Sequence, residues 1–158
     1  MLKKTIQVHL TRYVPYNINL CFRVVRDVER YPLFLDNVNH IRVLQTELNS
    51  TDYKAEHRYQ LLHDSEWVTY SLKSQQDIPH HKTIQICSTT SKYVDRISYD
   101  WTFHQLTTNK TKMTLDLDVL LKSALYYPMW LGFKDYVIEK NINQYMLRIQ
   151  AMQREMSP

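Results

Sequence analysis

A histidine and a glutamate, His57 and Glu66, sit in a stretch rich in tyrosine, and chain alternation decides what they could do together. Residues two apart on a β-strand share a face. Tyr53, Ala55, Tyr59 and Leu61 therefore bring His57 to the same side, while Val68, Tyr70 and Leu72 bring Glu66. Two further rows of this kind follow, Ile97–Tyr99–Trp101–Phe103 and Met113–Leu115–Leu117–Val119. If the rows face one interior, His57, Tyr59, Glu66, Tyr70 and Tyr99 are its polar lining. Histidine is the natural general base near neutral pH. A desolvated glutamate serves as acid or base once its pKa rises. The tyrosines offer hydroxyls from an apolar wall. Plainer readings stand beside these: His57 as a hydrogen-bonded structural residue, Glu66 turned to water near a turn, and the tyrosines as core.

Other chemistries find little support. The one glycine, Gly132, rules out a glycine-rich phosphate loop. His80, His81 and Cys87 lack zinc-ligand spacing, so no metal is expected. Basic residues are interleaved with acids at a net charge of +4, which gives no dense stripe for nucleic acid. The two cysteines, Cys21 and Cys87, read as buried thiols of a reducing cytoplasm. The most apolar window, Leu115 to Phe133, carries Asp116, Asp118, Lys122 and Pro128 and reads as no membrane span.

The elements that must position these residues follow from period. Lys4 to Val14 alternates as a half-buried strand ended by Pro15. Leu20, Val24 and Val28 recur at helical spacing after a candidate N-cap, Asn17, and Pro32 is expected to stop that helix before a short apolar piece, Leu33–Leu35. Six strands are expected next, near Val38–Glu47, Tyr53–Leu62, Glu66–Ile78, Thr83–Thr90, Arg96–Leu106 and Lys112–Leu121, with Asn, Asp, Ser and Pro making the turns. One helix is expected from Pro128 to Arg154, with Leu131, Ile138, Ile142, Tyr145, Ile149 and Met152 on its apolar stripe. Asp135 interrupts that stripe, and either faces a cavity mouth or marks the register as wrong; Asn141 is similar. The 158 residues thus read as one α+β domain, a seven-stranded antiparallel sheet curved around a long C-terminal helix, with two short helices after the first strand. The space between sheet and helix is a natural pocket, expected to reach a volume on the order of several hundred Å³ and to be bordered by Tyr59, Tyr70, Tyr99 and Trp101.

Several segments carry a resemblance. Val14 to Leu35, above all Asp27-Val28-Glu29-Arg30-Tyr31-Pro32, resembles the opening of the START-like polyketide cyclase/dehydrase superfamily. Ile97 to Phe103 resembles that superfamily's strand ending in W-x-F/Y, and Met113 to Leu121 its segment before the last helix. The resemblance implies the helix-grip fold. Within it, Glu66-Trp67-Val68-Thr69-Tyr70, the spacing from Asp77 to Trp101, and Asn141 to Ile149 are more similar to single-domain aromatase/cyclases than to the coenzyme-Q-binding branch. Glu66 falls where those cyclases often carry a pocket arginine, and Tyr31 where they commonly have tryptophan.

The resemblance implies an aromatase/cyclase that needs no cofactor and directs aldol closure and dehydration of a carrier-tethered poly-β-ketone. Its alternative is a carrier or chaperone for a quinone-like lipid; a protein-binding regulator is a third reading. Glu66, His57 and Tyr70 are the catalytic candidates, and Tyr31, Phe34, Tyr59, Tyr99, Trp101, Asp135 and Asn141 the substrate-binding ones. An acyl carrier protein is the implied partner of a cyclase, and the chain is read as a cytoplasmic monomer or homodimer.

Overall fold

The computed structural model describes residues 4–59, 64–77, 80–87, 91–132, 134 and 138–156. Seven strands run β1 (Lys4–Val14), β2 (Val38–Glu47), β3 (Ser50–Tyr59), β4 (Asp64–Asp77), β5 (His80–Cys87), β6 (Val94–Thr107) and β7 (Lys110–Leu121). They form one antiparallel sheet in the order β1-β7-β6-β5-β4-β3-β2. Only β1 departs from a simple meander, lying beside β7. Two of the hairpins close on two residues, Leu48-Asn49 and Thr108-Asn109. Asparagine tolerates the left-handed backbone that such tight turns demand, which is how a chain with one glycine makes them. The first of these turns is tighter than the gap between Glu47 and Tyr53 that the expected strands leave.

α1 (Ile18–Arg26) is capped by Asn17, whose side-chain oxygen accepts the Asn19 amide at 2.8 Å. Pro32 does not stop it. The helix ends at Arg26, and Pro32 lies inside a following 3-10 helix, Val28–Leu33. The physical reason is a cap from outside. The Tyr31 hydroxyl donates to the Val25 carbonyl, one of the four that a helix end leaves without an intrahelical partner. Reaching back to it requires the chain to turn at Asp27.

The C-terminal segment differs in one respect from a single regular helix. It is divided into α2 (Tyr127–Gly132) and α3 (Glu139–Met156), and the described residues between them, Lys134 and Ile138, take the wider π-type turn. A π-type turn takes in one extra residue. The inward face accordingly shifts by one: Trp130 is buried while Leu131, expected inward, is 37% exposed. Gly132, a poor helix former, stands at the break. Beyond it Ile138, Ile142, Tyr145 and Ile149 are buried. α3 rests against α1 and over the inner face of the sheet, where Tyr145 meets Trp101 edge-on at 5.2 Å.

The core lies between that face and the helices, built from the alternating rows: Ile6 and Val8 on β1, Met113 to Val119 on β7, Ile97, Trp101 and Phe103 on β6. No helix among the described residues is long and apolar enough to cross a membrane.

Candidate functional site

Under α3, the inner faces of β3, β4, β6 and β7 leave a cavity of about 50 Å³. It is far smaller than the several hundred Å³ the sequence suggested. Aromatic side chains close in from every wall: Tyr31, Tyr53, Tyr70, Tyr99, Trp101 and Tyr145 all border it, with His57, Asn37 and Asn141 as the other polar groups. Tyr53 and Tyr70 stack at 5.4 Å, and Tyr31, Phe34 and Tyr145 meet edge-to-face at 5.4–5.8 Å.

His57 and Tyr70 form its central polar pair. The His57 Nε2 lies 2.6 Å from the Tyr70 hydroxyl. The opposite ring N–H donates to the Asn37 carbonyl, which also accepts the Arg58 amide at 2.9 Å. A neutral imidazole with that N–H committed presents Nε2 as an acceptor, so Tyr70 is the donor. Burial drives the His57 pKa down to about 4, against the opposing pull of Glu66 and of the Asn37 carbonyl. At neutral pH the site therefore holds an uncharged imidazole.

Glu66 is directly across from His57 in the β3–β4 register, yet its carboxylate does not border the cavity. It accepts the Ser91 hydroxyl and the Lys92 amide, the latter at 3.0 Å, and so anchors the approach to β6. Its influence on the site is the charge that opposes the fall of the His57 pKa.

The remaining candidates divide. Tyr31, Tyr70, Tyr99, Trp101 and Asn141 border the cavity; Phe34 stands behind Tyr31 and Tyr145. Asp135 lies outside the described residues, as does the side chain of Tyr59. Three of the polar and aromatic lining groups were not singled out as site residues from sequence. Tyr145 and Tyr53 carried a signal, since both lie on predicted inward faces. Asn37, in the connection before β2, carried none.

Hydroxyls near the cavity are linked. Tyr145 donates to Tyr31, which donates onward to the Val25 carbonyl, and burial is the main cause that raises Tyr145 well above the usual phenol range. A clasp closes the near side: Asn141 Nδ2 donates to Asn37 Oδ1 and to Gln144 Oε1, each at 3.0 Å, and Lys140 pairs with Asp36 at 2.6 Å. Among the described residues no group of three or more His, Cys, Asp or Glu side chains is placed to hold a metal ion.

The family "Polyketide cyclase / dehydrase and lipid transport" matches residues 14–146. No curated protein matches the sequence. Among solved structures, the Zhui aromatase/cyclase from Streptomyces sp. R1128 is similar at a TM-score of 0.78 and 14% identity, covering 93% of this chain and 94% of that one. A START superfamily protein from Mycobacterium smegmatis is similar at 0.70 and 14%, covering 92% and 98%. A STAR-related lipid transfer protein from Xanthomonas axonopodis is similar at 0.74 and 10%, covering 91% and 85%. At these identities the likeness is one of fold.

Proposed function

As the chain belongs to the polyketide cyclase / dehydrase and lipid transport family, we propose that it is an aromatase/cyclase that directs aldol closure and dehydration of a poly-β-ketone delivered on an acyl carrier protein. The observation that carries this reading is the His57–Tyr70 pair facing an aromatic cavity.

The chemistry is a matter of positioning and one proton. A folded polyketone brings an acidic CH₂ beside a carbonyl, and holding the two together supplies several kcal/mol of the barrier, roughly 7–11 in the best oriented systems. His57 Nε2 accepts the CH₂ proton while the new C–C bond forms. As substrate enters, the Tyr70 hydroxyl turns from Nε2 to the developing alkoxide, and the imidazolium returns its proton there to give the aldol alcohol. Nε2 then takes the remaining α-proton as the C=C bond forms, and the same imidazolium protonates the departing hydroxyl, which leaves as water. Glu66 acts through His57, because its negative charge favours the imidazolium that proton transfer creates. Tyr31, Tyr99, Trp101 and Asn141 shape the fold of the substrate, with Phe34 supporting Tyr31 and Tyr145. Tyr59 and Asp135 are retained as binding candidates. No cofactor enters, and the setting is cytoplasmic.

One observation favours a second reading, a carrier of a quinone-like lipid: a pKa of about 4 makes His57 a weak base at neutral pH.

Reconstitution with a minimal synthase and its carrier protein decides between them. Added protein should shift the product pattern toward one cyclised aromatic compound, and His57→Gln should abolish the shift. Unchanged products together with tight quinone binding would establish the carrier.

A further inference from the structure

The outward side of the segment between β7 and α3 is unlike a face made for water. From Lys122 to Lys134 the chain has no acidic residue, and a lysine stands at each end. Tyr126 packs edge-on against Tyr93 at 5.3 Å, and Trp130 is buried. Leu125, Pro128, Leu131 and Lys134, spaced three apart, are exposed, Leu125 by 80%. Residues three apart in a helical stretch are neighbours on its surface, so the three apolar side chains form one stripe. A helix side that meets only water is normally polar.

This stripe is braced from beneath. The Tyr93 hydroxyl donates to Asp64 at 2.8 Å, and the Tyr93 carbonyl accepts the Lys122 amide at 3.0 Å. The Ser123 hydroxyl oxygen accepts the Leu125 amide at 3.2 Å and so fixes the turn that aims Leu125 outward. Lys92, next to Tyr93, pairs with Asp64 at 3.3 Å. Among the described residues Lys122 and Lys134 form no salt bridge.

Size and charge together narrow what can cover the stripe. A stable protein interface takes about 800 Å² from each partner. The stripe runs only roughly 10 Å along its helix, too small a seat for that. It fits a bilayer surface, where an amphipathic helix sinks its apolar edge about 5–10 Å into the boundary between headgroups and acyl chains. Lysine stems lie along such an edge with their ammonium groups toward the phosphates. Two lysines with no acid between them favour anionic lipid.

We propose that the Leu125–Pro128–Leu131 stripe, with Lys122 and Lys134 at its ends, seats the protein peripherally on an anionic bilayer. The seat goes beyond the reading of the cavity and does not depend on it. It lies beside the cavity's roof, since Ile138, the next described residue after Lys134, borders that cavity.

Cosedimentation of the full chain with sucrose-loaded vesicles tests the seat. Vesicles of phosphatidylcholine with roughly a third phosphatidylglycerol should bind at least about tenfold tighter than phosphatidylcholine alone, and salt should erode the difference. Leu125→Ser combined with Leu131→Ser should weaken binding to the mixed vesicles by about tenfold or more. Lys122→Gln combined with Lys134→Gln should do the same there and leave binding to phosphatidylcholine unchanged. Leu147→Ser, at a leucine 64% exposed on α3, should stay within about twofold of the unmodified protein. Thermal unfolding checks that each variant is folded. The seat is overturned if the mixed vesicles are not bound, or if binding survives the paired leucine replacements, which would make it a general effect of net charge. It is overturned equally if vesicles are ignored while sedimentation velocity shows a dimer that Leu125→Ser dissociates, because the stripe then meets a second copy of the chain.

Discussion

Asn141 on the last helix donates to the side-chain oxygen of Asn37 at 3.0 Å, and the backbone carbonyl of the same Asn37 receives the ring N–H of His57. The clasp that closes the cavity and the contact that fixes the histidine tautomer thus share one residue. Asn141→Leu, which keeps the volume and removes the donor, should loosen both. Stability should fall by about 1–2 kcal/mol, the cost of a part-buried hydrogen bond, and ligand association should speed up. The imidazole ¹⁵N shifts of His57 should move toward a mixture of tautomers; unchanged shifts would mean that Asn37 is held without the helix.

Acid should destabilise the protein through His57. Its folded pKa is about 4, below the ordinary 6.5. Between those values the unfolded chain takes up a proton that the folded one refuses, so stability falls as pH drops through that window. The loss reaches at most about 3 kcal/mol near pH 4 and stops there. Above pH 6.5 the residue contributes no slope. Urea titrations at several pH values should show this acid limb, and His57→Gln should flatten it.

Glu66→Gln tests the charge behind the histidine. Removing that carboxylate removes an influence that raises the His57 pKa, so the imidazole should titrate lower still by NMR. In the reconstituted cyclase the rate should fall through kcat, by less than the roughly 10²-fold or more expected for His57→Gln. Equal losses in the two variants would place Glu66 on the substrate itself.

Tyr31→Phe should cost more than Tyr145→Phe, although each deletes one oxygen. Loss of the Tyr31 hydroxyl leaves both the Val25 carbonyl and the Tyr145 hydroxyl without their partner. Loss of the Tyr145 hydroxyl removes only a donor. The difference should be about 1–3 kcal/mol by urea unfolding.

Ile142→Ala should destabilise by about 2–5 kcal/mol, since Ile142 is 2% exposed and borders the cavity. A loss below about 1 kcal/mol would mean that α3 settles into the space left behind.

What the sequence could and could not disclose follows from which forces fix each residue. Alternation is local, so it brought His57, Tyr70, Tyr99 and Trp101 to one face before any contact was known. The same rule assigned Glu66 inward, but near the start of β4 the carboxylate is claimed by Ser91 and Lys92, a partnership set by tertiary structure. Asn37 meets His57 through its backbone carbonyl, which every residue has, and its side-chain bond to Asn141 joins positions far apart in the chain, so no local pattern announces either. Helical period put Ile142 and Ile149 inside, while one extra residue in a wide turn exchanged Leu131 for Trp130. The cavity's size depends on how far the aromatic rings lean inward, and no pattern of residue types encodes that.

The sheet ends in two strands of unlike character, and this bears on how the protein behaves when crowded or partly unfolded. β2 is interrupted by irregularities between Val38 and His40 and between Val43 and Gln45. Such bulges bend an edge away from foreign strands. β1 pairs with β7 through eleven consecutive residues without a break, which leaves its outer side a straight row of amides and carbonyls. If the protein aggregates during expression or refolding, β1 is the place where chains join. A lysine in place of Thr5 or Gln7, on its outward side, is the change that would keep them apart.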